Sequence, residues 1–492
     1  MRSGFDNEKY VKLQIETIKK RIEMFDNKLY LEFGGKLFDD YHAKRVLPGF
    51  ELDAKIRLLE ELKDKLEIIF CINAKDIEKK IRADYGISYD MEVIRLIEIF
   101  RKMGICVNSV VITLYKGQST ALRFKEKLET IGVKTYFHSF TKGYPTDVDV
   151  IVSEEGYGAN PYIETTKPLV VVNAPGPCSG KLATCLSQLY HEHKKGIKAG
   201  YAKFETFPVW DLPLKHPVNI AYEAATADLK DNNMIDPFHL EKYGVTTVNY
   251  NRDIEMFPVL KDILKKVTGK DVYYSPTDMG VNMVGYCIKD EDIVAEASKK
   301  EVVRRYYNEL NNYKLGLTDE DACQKIKLLM NELKIDEKYL DVIEPALKKS
   351  EQEQKPVISI KISNKKIITG KETDILSPAC TVVLNAIKEL SKIPDDINLI
   401  SPNVLEPMLK LKQDLDDDQK RLGLTEVLTA LSITSTTNPM VEKALSNLKK
   451  LKGLEAHATY MVENGDRKAL KQLKINLTCE PKFKSDVEID NM

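Results

Sequence analysis

PLVVVNAPGPCSGKLATCLSQLYHEH, residues 168–193, passes from a β-branched run through a loop of small residues into an amphipathic pattern. The opening run is continuous rather than alternating, which suits a strand buried on both faces of a parallel sheet. Leu182, Leu186 and Leu189 recur at spacings of four and three, which predicts a helix. Between strand and helix lie Ala174, Pro175, Gly176, Pro177, Cys178, Ser179, Gly180 and Lys181. A strand, a small-residue loop ending in Gly-Lys and a helix form the layout of a phosphate-binding P-loop.

The physical basis of that layout is simple. Unpaired N–H groups at a helix start point at one spot, the helix dipole adds partial positive charge, and a lysine adds a full one. The expected anion contacts are Gly176, Cys178, Ser179, Gly180 and Lys181, with Lys181 also stabilising charge during catalysis. The letters depart from the usual motif. Ala174 stands at the first glycine, and Leu182 stands where a Ser or Thr would hold magnesium. Pro175 and Pro177 have no N–H to offer. A metal would then need Ser179, Thr184 or a carboxylate elsewhere. The competing reading is a strand-to-helix turn with Lys181 in solvent.

The same alternation extends upstream. EIIFCIN (67–73), SVVITL (109–114), KTYFHSF (134–140) and DVDVIVS (147–153) read as strands, with helices ending at Gly104 and Gly132 between them. An amphipathic helix carrying Val11, Ile15, Ile18, Ile22 and Phe25 comes first. The expectation is a three-layer, mostly parallel α/β sheet with a P-loop-like turn over residues 1–284. A charged helical section follows at 285–350. A second, smaller α/β domain spans 351–492, opening with the hairpin VISIKI/KKIITG (357–370).

Composition narrows the partners. The 492 residues hold 74 Lys plus Arg against 75 Asp plus Glu, a net charge of −1. That balance gives no pull toward nucleic acid or anionic membrane. No apolar run approaches the ~20 residues of a membrane span. The eight cysteines are dispersed without a C-x-x-C pair, so zinc, haem and iron–sulfur centres are not expected. A cytoplasmic protein with reduced thiols is the expectation. A homo-oligomer is expected too, from chain size and from the stripe from Val11 to Phe25, which needs either a partner surface or the chain's own helices to cover it.

Further candidate residues cluster in four places. The loop GGKLFDDYHAKRVLPG (34–49) gathers Lys36, His42, Lys44 and Arg45, which could fold over a phosphate or stay solvated. VNYNRDIEMFP (248–258) places Arg252, Asp253 and Glu255 after a strand-like run, where an α/β sheet presents its crevice. Arg252 would contact phosphate as a catalytic residue beside Lys181; Asp253, Glu255 and Asp278 of SPTDMGVNMVG (275–285) would hold magnesium. Trp210, Asp211 and His216 in a proline-rich stretch, and His457 in AHATYM, are possible substrate contacts. For each, a packing or capping role is the competing reading.

The run VVVNAPGPCSGKLATCLSQLYHEH, together with FPVWDLPLKHPVNIAYEAATADL (207–229), YSPTDMGVNMVGY (274–286) and LEAHATY (454–460), resembles a bacterial family. It is known as domain of unknown function eighteen-forty-six, or uncharacterised protein family three-seventy-one. The resemblance covers essentially the whole chain. It implies a multi-domain α/β protein with a P-loop-like N-terminal part, and it carries no catalytic residues with it. Some members bear a peptidase label, which would need H-E-x-x-H on a helix. Here the run is His191-Glu192-His193-Lys194-Lys195, with lysine at the second histidine's place. The functional expectation is therefore binding of a nucleotide such as ATP with Mg2+, or of another phosphorylated small molecule. Phosphoryl transfer or NTP hydrolysis is one outcome, and non-catalytic phosphometabolite binding is the other.

Overall fold

The structure is a computed structural model that describes residues 3–79, 81–82, 86–415 and 421–485. It divides into two compact units, residues 1–223 with 231–298 and residues 224–230 with 299–492.

The first unit is built on a seven-stranded parallel sheet. Its strands in chain order are β1 (Leu29–Phe33), β2 (Leu66–Asn73), β5 (Cys106–Thr113), β6 (Lys134–Phe137), β7 (Leu169–Asn173), β8 (Gly200–Phe204) and β11 (Gly280–Val281). Two small antiparallel pairs complete the unit: β3 (Ile81–Arg82) with β4 (Ile87–Ser88), and β9 (Asn233–Ile235) with β10 (Val248–Tyr250). Every residue of β1, β2 and β7 is buried, as expected of central strands covered on both faces of a parallel sheet.

Spatial order is β11-β8-β1-β7-β2-β5-β6. From β1 the chain travels through β2 and β5 to β6 in one direction; from β7 it travels through β8 to β11 in the other. Right-handed crossovers then place the intervening helices on opposite faces. One face carries α3 (Ala54–Glu61), α4 (Tyr89–Lys102) and α5 (Ser119–Thr130), joined by α1 (Asn7–Glu23) packed on α3. The short α2 (Tyr41–Val46) follows β1, and α6 (Val148–Ile151) lies between β6 and β7. The other face carries α7 (Lys181–Lys194), against which α10 (Asn251–Thr268) packs. Three smaller helices, α8 (Pro217–Ala225), α9 (Pro237–Tyr243) and α11 (Pro276–Met279), fill the path from β8 to β11.

One sequence expectation changes, and one open alternative is decided. DVDVIVS is no strand: Asp147 accepts a hydrogen bond from the Val150 amide at 3.0 Å and caps the short α6 instead. The stripe of α1 is covered by its own chain, with Val11, Ile15, Ile18, Ile22 and Phe25 all buried among α3, β8 and β11. It therefore needs no second copy to shield it.

The second unit holds a four-stranded mixed sheet, β13-β12-β14-β15, from β12 (Val357–Ser363), β13 (Lys366–Lys371), β14 (Glu455–Ala458) and β15 (Asn476–Cys479). The hairpin read from VISIKI/KKIITG is present as the antiparallel pair β12–β13. The long α12 (Glu291–Lys314) runs into this unit, followed by α13 (Glu320–Glu332) and α14 (Ile343–Glu353). Next comes α15 (Pro378–Ser391), whose Val382, Val383 and Ile387 join Ile358 and Ile360 in the core. All eight cysteines are free. Among the described residues no helix is long and apolar enough to cross a membrane.

Candidate functional site

The carboxyl ends of β8, β1, β7 and β2 lie side by side, and the chain's direction of travel reverses at β7. Its neighbours β1 and β2 lead toward α3 and α4, while β7 leads into α7 on the opposite face. The loops diverge there and leave a crevice, the place where open α/β sheets receive ligands. The Asn173 side-chain amide donates to the Phe33 carbonyl at 3.1 Å and ties the ends of β7 and β1 together.

The loop after Asn173 has its carbonyls occupied. Thr113 Oγ1 donates to the Ser179 carbonyl at 2.9 Å, and Ser179 Oγ donates to the Gly176 carbonyl at 2.8 Å. Asn73 Nδ2 reaches the Cys178 carbonyl at 3.4 Å. The N–H groups are a different matter. Among the described residues no acceptor takes up those of Gly176, Cys178, Ser179 or Gly180. Cys178 (φ 54°) and Gly180 (φ 80°) are left-handed. Alternating handedness of this kind turns backbone N–H groups toward one concavity. Gly180 must be glycine twice over, for its φ and because a Cβ would lie 2.9 Å from Thr113 Cγ2. A Cβ on Gly176 would lie 2.4 Å from the Tyr89 hydroxyl oxygen.

Lys181 is the first residue of α7, and its side chain is only 16% exposed. Its Nζ stands 4.0 Å from Glu32 Oε1 rather than in solvent. Glu32 in turn accepts from the Tyr201 hydroxyl at 2.8 Å. Register explains what lies beyond. Glu32 on β1 is the Cα partner of Lys203 on β8, so their side chains share a face. Tyr201, Lys203 and Glu205 alternate onto that face, which is the face of α7 and α10.

Lys203 is the hub of the cluster. Its Nζ bonds the Tyr250 hydroxyl and Asp253 Oδ2, and pairs with Glu205 Oε1 at 2.7 Å. The Tyr250 hydroxyl donates to the same Glu205 oxygen at 3.1 Å. Burial opposes the charge on Lys203, yet Asp253 and Glu205 outweigh it and hold its pKa well above the ordinary value. Burial, with Asp253 adding repulsion, pushes the Glu205 carboxyl up to about 7 against the pull of Lys203.

A stability consequence follows. Relative to an unfolded carboxyl near 4.5, folded Glu205 retains its proton up to about 7. The stability this contributes is full below about 4.5 and is lost as the pH rises through about 7. Glu205→Gln is expected to flatten that part of the pH–stability curve. It should raise the melting temperature above pH 8 by about 2 °C, the low end of what ~1 kcal/mol does in smaller domains. Scanning calorimetry between pH 5 and 9 checks it; a wild-type curve flat across this range would contradict it.

The structure brings together some sequence candidates and separates others. Lys36, Lys44 and Arg45 follow β1, so the topology carries them to the same sheet edge. Beside them the His42 ring meets Phe207 at 5.1 Å, and Phe207 stacks on Tyr222. Asp253 enters the Lys203 cluster, whereas Arg252 pairs with Asp231 through Nε at 2.7 Å. Glu255 is exposed on α10. Asp278 accepts from the Tyr274 amide at 2.9 Å and the Tyr243 hydroxyl at 3.0 Å, in a separate network.

Trp210 donates to the Asn282 carbonyl at 2.5 Å, and Asp211 lies against Gly285. His216 meets Glu291 at 3.0 Å and receives the Val218 amide, which fixes the start of α8. His457 lies in the sheet of the second unit, fully buried, between Thr478 Oγ1 at 2.8 Å and Glu480 Oε1 at 3.1 Å. His191 and His193 contact separate carbonyls, those of Asn160 and Ala199. No group of three or more His, Cys, Asp or Glu side chains among the described residues is gathered to hold a metal ion. Glu32, Lys203, Glu205 and Tyr250 are the site residues that sequence reading missed. For the three charged ones the signal is a charge inside, or directly after, an otherwise buried strand, in YLEF and YAKFE.

Comparison with known proteins matches this chain along its length. Residues 3–334 match the model for Domain of unknown function DUF1846, N-terminal, and residues 338–487 the corresponding C-terminal model. A UPF0371 protein of Clostridium botulinum (strain Alaska E43 / Type E3) is 55% identical over 497 residues, covering 99% of each chain. UPF0371 proteins of Clostridioides difficile (strain 630) and Clostridium tetani (strain Massachusetts / E88) are 53% and 52% identical, again over 99% of each chain. With both halves matched in order and relatives this similar end to end, the chain belongs to the DUF1846 (UPF0371) family.

Proposed function

We propose that the first unit binds a phosphorylated small molecule, a nucleoside triphosphate being the leading class, and transfers or hydrolyses its phosphoryl group. The observation that carries this reading is the loop at 174–181. Its carbonyls are tied to neighbouring strands and to its own serine, its N–H groups are left open, and Lys181 is held beside them. An anion answers all three features at once. In this reading the N–H groups of Gly176, Cys178, Ser179 and Gly180 and the Lys181 ammonium stabilise charge developing on the phosphoryl oxygens. Arg45 and Lys44 supply further positive charge from α2, which follows β1.

Magnesium would arrive with the nucleotide and relieve the repulsion between its phosphates and the carboxylates of the site. Of the nominated carboxylates, Asp253 is already paired with Lys203, and Glu255 and Asp278 would have to reach the metal from elsewhere. The reading carries a cytoplasmic location, which the free thiols suit.

The test is a thermal-shift screen of the whole chain with ATP, ADP, sugar phosphates and inorganic phosphate, with and without Mg2+. A ligand at 100 times its Kd should add about 2.7 kcal/mol of apparent stability. No shift with any of these compounds at millimolar concentration would contradict the reading. One observation favours a second reading, non-catalytic binding of a phosphometabolite. Leu182 offers no oxygen next to Lys181, so the metal that usually assists transfer lacks its customary ligand. Binding without turnover would decide for it.

A further inference from the structure

The phosphate reading uses Lys181 and the loop but leaves the ionic cluster on β8 without a task. Within that cluster Glu205 is set apart by its geometry. Its Oε1 is fixed by Lys203 at 2.7 Å and by the Tyr250 hydroxyl at 3.1 Å. Its Oε2 has no hydrogen-bond partner among the described residues, and the side chain keeps 14% of its surface exposed. One oxygen anchored and the other open is the arrangement a proton-accepting carboxylate requires. Glu205 also directly follows β8, whose Lys203 is the register partner of Glu32, the group facing Lys181. It therefore shares the α7 face of the sheet edge with the loop.

We propose that Glu205 is the general base of this site, taking the proton of a water or hydroxyl group as that oxygen attacks the phosphorus of the ligand held at Lys181. The attacking oxygen forms the new O–P bond, and its proton passes to Glu205 Oε2. The O–P bond to the leaving group breaks, and its electron pair goes out with the leaving phosphate or nucleoside diphosphate. Glu205 then returns the proton to solvent. This assignment rests on the phosphate reading above.

The surroundings suit the task. Burial first, and then the Asp253 charge, raise the carboxyl to about 7, so that it takes up and gives back a proton near neutrality. The groups around it are Lys203 on β8, Tyr250 on β10, Asp253 on α10, Glu32 on β1 and Tyr222 on α8, with His42 of α2 beyond Tyr222. His42 is the neighbour whose own titration could imitate that of Glu205, so it is the control.

The experiment uses the full chain and three readouts. In the ligand-free protein, carbon-13 NMR of labelled glutamate carboxyls, assigned by comparison with Glu205→Gln, should show Glu205 titrating near pH 7. Asp253→Asn should lower that midpoint by removing repulsion and freeing Lys203. With ATP and Mg2+ as the probe, Glu205→Gln should cut kcat for hydrolysis about 100-fold or more, with KM changed less than threefold. The rise of rate with pH through neutrality should vanish in Glu205→Gln and persist in His42→Asn.

A Glu205 that titrates in the ordinary carboxylate range overturns the assignment whatever the ligand. So does ATP that binds but is hydrolysed equally by wild type and Glu205→Gln, or is not hydrolysed at all; in either case the phosphate reading stands. If wild type binds neither ATP nor inorganic phosphate, the phosphate reading falls and the base role falls with it.

Discussion

Lys181→Ala is expected to weaken binding of ATP or inorganic phosphate about 100-fold, while the melting temperature of the ligand-free protein moves by no more than about 2 °C. The two halves of this expectation have different physical origins. In the free protein Lys181 makes one long ion pair, 4.0 Å to Glu32 Oε1, outside ordinary hydrogen-bond reach. Glu32 keeps its bond from the Tyr201 hydroxyl when the lysine is gone. Little stabilising contact is lost, and alanine is a good residue for the first turn of a helix.

With a phosphate bound, the same ammonium would make charge-assisted hydrogen bonds in a site largely withdrawn from water. Each such bond contributes about 1.5–3 kcal/mol, and a 100-fold loss corresponds to about 2.8 kcal/mol. Lys181→Arg should recover part of the affinity, since charge is restored but the point-like ammonium is not. Isothermal titration at fixed ionic strength measures both variants. Unchanged affinity in Lys181→Ala would remove the lysine from the site and leave the bare loop to explain any binding.

The loop around Lys181 was legible because its signal is local. A buried strand, small residues and a helix start follow one another within residues 168–193, and short-range patterning captures such an arrangement. The parallel sheet was legible for the same reason, since β2, β5 and β7 each contain an unbroken apolar run, IIFCI, VVI and LVVV. The strands that complete the site, β1 and β8, were not read as strands. LYLEF and GYAKF carry Glu32 and Lys203 inside them, and an interior charge argues against a buried strand unless a partner is known. The partner is supplied by register across the sheet, between residues 32 and 203, which no local pattern reports.

Asp253 could be nominated from its place just after the strand-like TTVNY. Asp278 and His457 show the converse. Both were candidates in sequence, His457 with a structural role as the commoner reading, and each belongs to a network with its own partners. DVDVIVS failed for a simpler reason: alternation and an N-cap aspartate make the same letters, and the cap prevailed.

Arg304→Met is expected to destabilise the second unit by about 3–5 kcal/mol, the cost of stripping the partner from buried charge. Arg304 on α12 is 11% exposed and lies between two carboxylates. Its Nε and Nη2 grip both oxygens of Glu455 on β14 at 3.0 and 2.6 Å, and Nη1 meets Glu301 at 2.9 Å. Two-point contact with a planar carboxylate fixes direction as well as distance, so this pair locks α12 to the edge of β14. Methionine would fill most of the volume, so the loss measures the charge rather than a cavity.

The two acids are not left equally exposed by the change. Glu301 is 1% exposed but retains Arg305 at 3.1 Å, whereas Glu455 retains the Asn476 amide at 3.2 Å. Most of the penalty should therefore fall on Glu455. Adding Glu455→Gln to Arg304→Met should then recover at least half of the lost stability, because the unpaired charge goes with it. A double-mutant cycle from urea unfolding of the four proteins reads the coupling directly. A single-variant loss under ~1 kcal/mol would mean that water reaches the pair and that it behaves like an exposed surface bridge.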